Sequence, residues 1–131
     1  MGQKAKATNY NSIALGDFAN ASGIGSTAVG DYAAAESHGS IAIGSEANAT
    51  GMQSIALGDE AKGTGYQATV VGGEATASGI NSLATGFGAK SSGHFSSSFG
   101  SEAVSDGAFA TAIGSGANAS AKSATALGES S

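Results

Sequence analysis

The hexapeptide Asn11-Ser12-Ile13-Ala14-Leu15-Gly16 opens a pattern that returns every fourteen residues along the chain. Related stretches begin, without insertion or deletion, at Ser26, Ser40, Ser54, Ala68, Ser82, Ser96, Ala110 and Ala124. A short fixed period is typical of a solenoid, in which each unit buries its surface only against its neighbours. The period therefore predicts one domain over 1–131, with eight full repeats over 12–123 and partial repeats at 1–11 and 124–131.

The composition allows a narrow core but not a wide one. The 131 residues include 22 glycines and no Trp, and alanine dominates the apolar residues. Such side chains cannot fill the centre of a broad globular domain at normal packing density, but they can fill a thin coil many times over. A disordered Gly/Ser/Ala linker is the alternative, but disorder does not require the phase that this chain keeps.

Charge and hydropathy exclude several classes of function. The net charge is −5, and all five basic residues are Lys, which argues against nucleic acid as a partner. The chain has no apolar run of about 18 residues that could span a bilayer as a helix, so no membrane contact is predicted for it. Cysteine is absent, which excludes disulfides and Cys-ligated metals. Residues 1–4 lack the apolar stretch of a secretory signal, so either the protein stays inside the cell or the chain is a piece of a longer exported one; we favour the exported piece.

A period of fourteen is also two heptads, but a coiled coil is not feasible here. Glycine in a helix interior costs about 1 kcal/mol relative to alanine, so 22 glycines would cost roughly 20 kcal/mol. Instead, Ile13 and Leu15 alternate with the small residues Ser12 and Ala14, which is the period of a β-strand. The fold class predicted is therefore all-β, a parallel β-solenoid (β-roll) of 14-residue coils.

Each repeat, numbered 1 to 14 from Ser12, predicts two short strands separated by two turns. Glycine occupies position 5 throughout and position 12 in most repeats, so we expect turns at positions 5–7 and 12–14, where glycine supplies a positive φ. Alanine or another small residue at positions 3, 8 and 10 is expected to face the interior. Strands of successive coils would stack about 4.8 Å apart, giving a thin rod on the order of 45 Å long.

If position 3 faces inward, positions 2 and 4 form an apolar stripe on the outside of the rod. Exposed stripes of this size mark interfaces, so we expect self-association, most simply as a parallel homotrimer of three rods. The alternative is that positions 2 and 4 line the core and the alanines face outward. The predicted trimer interface consists of Ile13, Leu15, Val29, Ile41, Ile43, Ile55, Leu57, Val71, Leu83, Phe99, Ile113 and Leu127.

These repeats resemble the head repeats of trimeric autotransporter adhesins, the YadA-like heads. The resemblance rests on Asn11–Gly16, on its near-copies at Gly39–Gly44 and Gln53–Gly58, and on Ala19-Asn20-Ala21-Ser22-Gly23. It covers essentially the whole chain. It implies a left-handed roll, a trimer, and display as an extracellular head on the outer membrane of a Gram-negative bacterium.

The resemblance also implies a function in cell adhesion and virulence. The corresponding stretches of the family are associated with binding host matrix proteins such as collagen, laminin or fibronectin. This role transfers to Asn11, Ser12, Ile13, Ala14, Leu15 and Gly16, and more loosely to Gln53–Gly58. The repeats at Val70, Thr85 and Ser98 depart from the motif. A purely structural spacer or fibre segment without a ligand of its own is the alternative function.

Polar and aromatic residues suggest further features. His38 and His94 share position 13 but lie four coils apart, which is too far for them to bind one metal ion. No nucleophile has a base and an acid placed beside it by the repeat. We therefore predict no metal, no cofactor and no enzyme activity. A carboxylate ribbon is expected along one edge of the rod, either as a docking stripe or as a solvated turn, with Lys62 and Lys90 nearby. Its members, at positions 6 and 7, are Asp17, Asp31, Glu46, Asp59, Glu60, Glu74, Glu102 and Glu129.

Four phenylalanines lie close together late in the chain, namely Phe87, Phe95, Phe99 and Phe109. Phe95 and Phe109 occupy position 14 of adjacent repeats and are expected to stack. The group is either a ligand-facing patch or a compensation for the small residues around Ser97 and Ser98.

Overall fold

Two parallel β-sheets of nine strands each make up the fold of the described residues. The structure is a computed structural model and describes residues 2–131. The short-strand sheet contains β1 (Lys6–Ala7), β3 (Asn20–Ala21), β5 (Ala34–Ala35), β7 (Asn48–Ala49), β9 (Lys62–Gly63), β11 (Thr76–Ala77), β13 (Lys90–Ser91), β15 (Val104–Ser105) and β17 (Asn118–Ala119). The long-strand sheet contains β2 (Ile13–Leu15), β4 (Thr27–Val29), β6 (Ile41–Ile43), β8 (Ile55–Leu57), β10 (Thr69–Val71), β12 (Leu83–Thr85), β14 (Ser97–Phe99), β16 (Thr111–Ile113) and β18 (Thr125–Leu127).

Every strand pairs with its own copy fourteen residues away. Ile41 is in register with Ile55 in the long-strand sheet, and Ala35 with Ala49 in the short-strand sheet. Consecutive strands of the chain therefore alternate between the sheets, and each full repeat forms one coil. These observations confirm the predicted all-β solenoid of 14-residue coils for residues 2–131.

The core is a thin layer of small side chains between the two sheets. Alanines at positions 3, 8 and 10 are almost fully buried, as in Ala42, Ala47 and Ala49, each with no exposed surface. Position 1 is buried as well; the alternation places it on the same side as position 3, although only positions 3, 8 and 10 were assigned to the interior. Its serines include Ser40 and Ser82, whose Oγ atoms donate to main-chain carbonyls three residues earlier.

Both predicted turns are present in each coil. The N–H of Ala19 donates to Gly16 O, and the N–H of Ser26 donates to Gly23 O, each at 3.2 Å. The third residues of these turns, Phe18 and Gly25, have φ of 59° and 66°. A positive φ at this place is the signature of a type II turn.

The prediction that glycine at position 12 supplies a positive φ is wrong. Gly23 and Gly51 do not have a positive φ; instead, the main chain of the next coil lies directly against them. A Cβ built on Gly51 would overlap the carbonyl oxygen of Gly65. Glycine therefore allows close approach of successive coils at this corner rather than an unusual backbone conformation.

Candidate interaction surface

The outer side of the long-strand sheet is an apolar face that runs the length of the rod. All twelve residues of the predicted trimer interface lie on it, at positions 2 and 4 of β2, β4, β6, β8, β10, β12, β14, β16 and β18. Exposed members include Ile43 at 41% and Ile113 at 43%, whereas Ile41 and Ile55 are half-buried by their neighbours. The alternative arrangement, with these side chains in the core, is wrong because the alanines between them fill the interior.

The candidate ligand-binding hexapeptide offers few free side chains. Ala14 is 8% exposed and faces the core, and the Oγ of Ser12 donates to Asn9 O at 2.7 Å. Gly16 lies in a turn with φ of 124°. Only Asn11, at the preceding turn, and the apolar Ile13 and Leu15 project outward. Since Ile13 and Leu15 belong to the apolar face, one chain cannot use them for self-association and for a separate ligand at the same time.

A second apolar column lies beside the apolar face, at position 13, and the sequence reasoning missed it. Position 13 also holds His38, His94 and Lys122, which interrupt the apolar residues. The sequence therefore indicates an exposed apolar column less clearly at position 13 than at positions 2 and 4. The side chains of this column are between 41% and 81% exposed. They are Tyr10, Ile24, Met52, Tyr66 and Ile80.

Polar side chains of one coil stabilise the turn of the preceding coil. The main-chain N–H of Gln3 donates to Asp17 Oδ1 at 2.7 Å, and that of Asp17 donates to Asp31 Oδ1 at 3.3 Å. The N–H of Ile80 donates to His94 Nδ1 at 3.0 Å in the same way. These carboxylates of the predicted ribbon and this histidine therefore satisfy turn amides that the sheets leave unpaired.

Lys90, one of the two lysines expected near the carboxylate ribbon, pairs with a carboxylate outside that ribbon. The Nζ of Lys90 is 3.7 Å from Asp106 Oδ1, on the outer side of the short-strand sheet, and this is the salt bridge found within residues 2–131. Both side chains are about half exposed, and such pairs contribute little to stability. Lys90 therefore pairs within that sheet and not with the carboxylate ribbon.

Aromatic rings stack between neighbouring coils at both corners of the rod. The ring centroids of Phe95 and Phe109 are 5.3 Å apart with an angle of 4° between the planes, as predicted. Phe18 and Tyr32 stack in the same way at 4.8 Å. Phe87 instead lies at the opposite corner from Phe95, beside Gly73 of the preceding coil. The four late phenylalanines thus do not form one patch.

Other kinds of site find no support in the described part of the chain. Among residues 2–131, no group of three or more His, Cys, Asp or Glu side chains is arranged to hold a metal ion. No helix there is long and apolar enough to cross a membrane.

Stacked 14-residue coils, glycine corners and a mainly apolar outer face define a repeat-built parallel β-solenoid. The family model described as "YadA head domain repeat (2 copies)" matches residues 1–19, 7–33, 35–61, 64–89, 91–117 and 105–131. The chain therefore belongs to the YadA head family, the head domains of trimeric autotransporter adhesins. This is a family of structural cell-surface adhesin domains that is not known for enzymatic activity. None of the curated proteins matches the chain.

Proposed function

We propose that three copies of this chain associate in parallel through their apolar faces, as a left-handed roll, and form the extracellular head of an adhesin on the outer membrane. The observation that best supports this proposal is that the apolar face is exposed along the whole rod. The corresponding interface residues are the twelve named above. The head would contribute to cell adhesion and, in a pathogen, to virulence.

The size of the apolar face supports association on energetic grounds. Full burial of one such side chain is worth about 1.5–3 kcal/mol, and these residues are roughly half covered already in a single chain. Twelve of them would therefore supply roughly 10 kcal/mol per chain or more, since each gains about half of that value. Association costs about 4–15 kcal/mol, so the face is large enough to hold a stable assembly.

The ligand surface of the assembled head would consist of the turns and the outer side of the short-strand sheet. Self-association covers Ile13 and Leu15, so of the hexapeptide only Asn11 stays available to a host matrix protein such as collagen, laminin or fibronectin. Many weak contacts, repeated on three chains and on many heads per cell, would give a high overall avidity.

Two measurements test this proposal. Light scattering on the purified chain should give a mass of about three times 12.4 kDa; a stable single chain would contradict the assembly. The assembled protein should then bind to surfaces coated with collagen, laminin or fibronectin, with serum albumin as the control coating. A trimer that binds none of the three would contradict the adhesive role and favour a structural spacer.

A further inference from the structure

Three of the six asparagines stand in the tripeptide Asn-Ala-Ser/Thr, and all three occupy position 9 of their repeat. They are Asn20 with Ser22, Asn48 with Thr50, and Asn118 with Ser120. The sequence Asn-x-Ser/Thr, with x other than proline, is the acceptor for N-glycosylation. The other asparagines, Asn9, Asn11 and Asn81, lie in turns and lack the hydroxyl residue two places on.

From this placement we infer that Asn20, Asn48 and Asn118 are N-glycosylation sites on one face of the rod. Each lies in a strand of the short-strand sheet, in β3, β7 and β17 respectively. Alternate residues of a strand point to the same side, so each asparagine shares the outer side with the hydroxyl group of its tripeptide. The intervening Ala21, Ala49 and Ala119 are buried and point into the core.

The three asparagine side chains form few interactions in the folded structure. Asn118 is exposed, and Asn20 and Asn48 are half-buried. The side chain of Asn118 makes no hydrogen bond, the Oδ1 of Asn48 is buried without a partner, and the Nδ2 of Asn20 makes one long bond of 3.4 Å to Glu36 Oε1. The small Ala34 lies between Asn20 and Asn48 in the sheet. A sugar on Nδ2 would therefore displace almost no native interaction.

The modification has to precede folding of the roll. In the folded chain the N–H groups of Asn20 and Ser22 donate to Ala33 O and Ala35 O, at 2.8 and 3.1 Å. These bonds hold the tripeptide straight within a sheet, where a transferase cannot bend it into an active site. The modifying enzyme would thus act on the unfolded chain, and the attached sugars would end up on the outer side of the short-strand sheet.

The reaction is a glycosyl transfer from a sugar phosphate or sugar pyrophosphate donor. The Nδ2 of asparagine forms a bond to C1 of the sugar, the bond from C1 to the phosphate oxygen breaks, and the phosphate leaves with the electron pair. One Nδ2 proton passes to a base of the transferase. Since the sugars would face away from the long-strand sheet, the inference does not depend on self-association through the apolar face.

Cleavage after lysine tests this inference, because the chain has lysines at 4, 6, 62, 90 and 122 and no arginine. In protein isolated from the cells that make it naturally, peptide 7–62 should carry up to two sugar chains and peptide 91–122 one. Peptide 63–90, which contains Asn81 and many hydroxyl residues, should carry none. Fragmentation that keeps the sugar attached should place it on asparagine, and its mass identifies the donor as one sugar unit or an oligosaccharide.

Substitution of the hydroxyl residue of the tripeptide tests the inference further, and the same change in a repeat without the asparagine is the control. Thr50→Val and Ser120→Ala keep the asparagines but should abolish modification of Asn48 and Asn118. Thr64→Val, at the equivalent position of a repeat with Lys62 in place of asparagine, should change nothing. Unmodified masses for both peptides, sugars confined to serine or threonine, or sugars on Asn81 would overturn the inference.

Discussion

At the scale of single residues, three positions per coil have a positive φ, and the φ value at each position determines which residues can occupy it. Position 5 has values such as 132° at Gly30, which side chains other than glycine rarely adopt. Positions 7 and 14 have values near 60°, in the left-handed helical region, where Asn is well tolerated and other residues are accepted. This difference explains why position 5 is always glycine while position 14 holds residues as different as Asn11, Gln53 and Phe95.

We predict that Gly30→Ala destabilises the roll strongly and that Gly25→Asn does not. A Cβ at Gly30 would lie 2.5 Å from Gly44 O, and strain at such a φ alone costs about 1–3 kcal/mol. At Gly25, with φ of 66°, a Cβ meets nothing within 4 Å. Thermal unfolding followed by circular dichroism should show a large drop in Tm for the first variant only. Equal values of Tm would contradict this account of the corners.

At the scale of elements, facing strands adjust their core residues to each other across the roll. Ser91 of β13 and Ser98 of β14 are buried seven residues apart, and their Oγ atoms lie 3.1 Å from each other. The Oγ of Ser91 donates to Leu83 O and that of Ser98 to Lys90 O, so each hydroxyl group that replaces a core alanine has a carbonyl partner of its own. The same offset of seven relates Gly63 of β9 to Val70 of β10, and these two strands are in contact.

This offset predicts that Gly63 and Val70 compensate each other in volume. Val70 is fully buried where other repeats have alanine or serine, and Gly63 precedes it at the same offset of seven. A Cβ built on Gly63 would lie 3.1 Å from Ile55 O and 3.5 Å from Ser54 Cβ, so little space is left there. We expect Val70→Ala to leave a cavity and cost roughly 2 kcal/mol, and Gly63→Ala to overpack the coil and cost about 1–3 kcal/mol.

The double variant Gly63→Ala/Val70→Ala restores the arrangement of the other repeats, so its loss should be clearly smaller than the sum of the single losses. Denaturant unfolding of the four proteins gives the coupling free energy. Strict additivity would show that the two residues pack independently. A pair taken from different coils, such as Gly63→Ala with Ala112→Gly, provides the control for non-additivity unrelated to contact.

At the scale of the whole molecule, the period and the alternation within it predicted the coils, both turns and the outward direction of Ile13 or Ile55, because these depend only on local geometry. The closeness of Gly51 to the next coil was missed, because it depends on how tightly neighbouring turns stack. Tyr66 and Ile80 were missed because polar residues interrupt their column. Strand alternation says little about side chains at corners.

We predict that Ile55→Asp, at the centre of the apolar face, disrupts the association of whole chains. In a single chain Ile55 is half-buried, and an aspartate there would stay hydrated and cost little. In a trimer, three carboxylates would meet near the axis with little water, which is strongly unfavourable. We therefore expect the variant to lose the trimer mass in light scattering or to melt well below the wild type. Thr64→Asp, exposed on the opposite sheet of the same coil, should keep both mass and Tm. If Ile55→Asp also kept both, position 2 would face solvent in the assembly, and a different surface would have to join the chains.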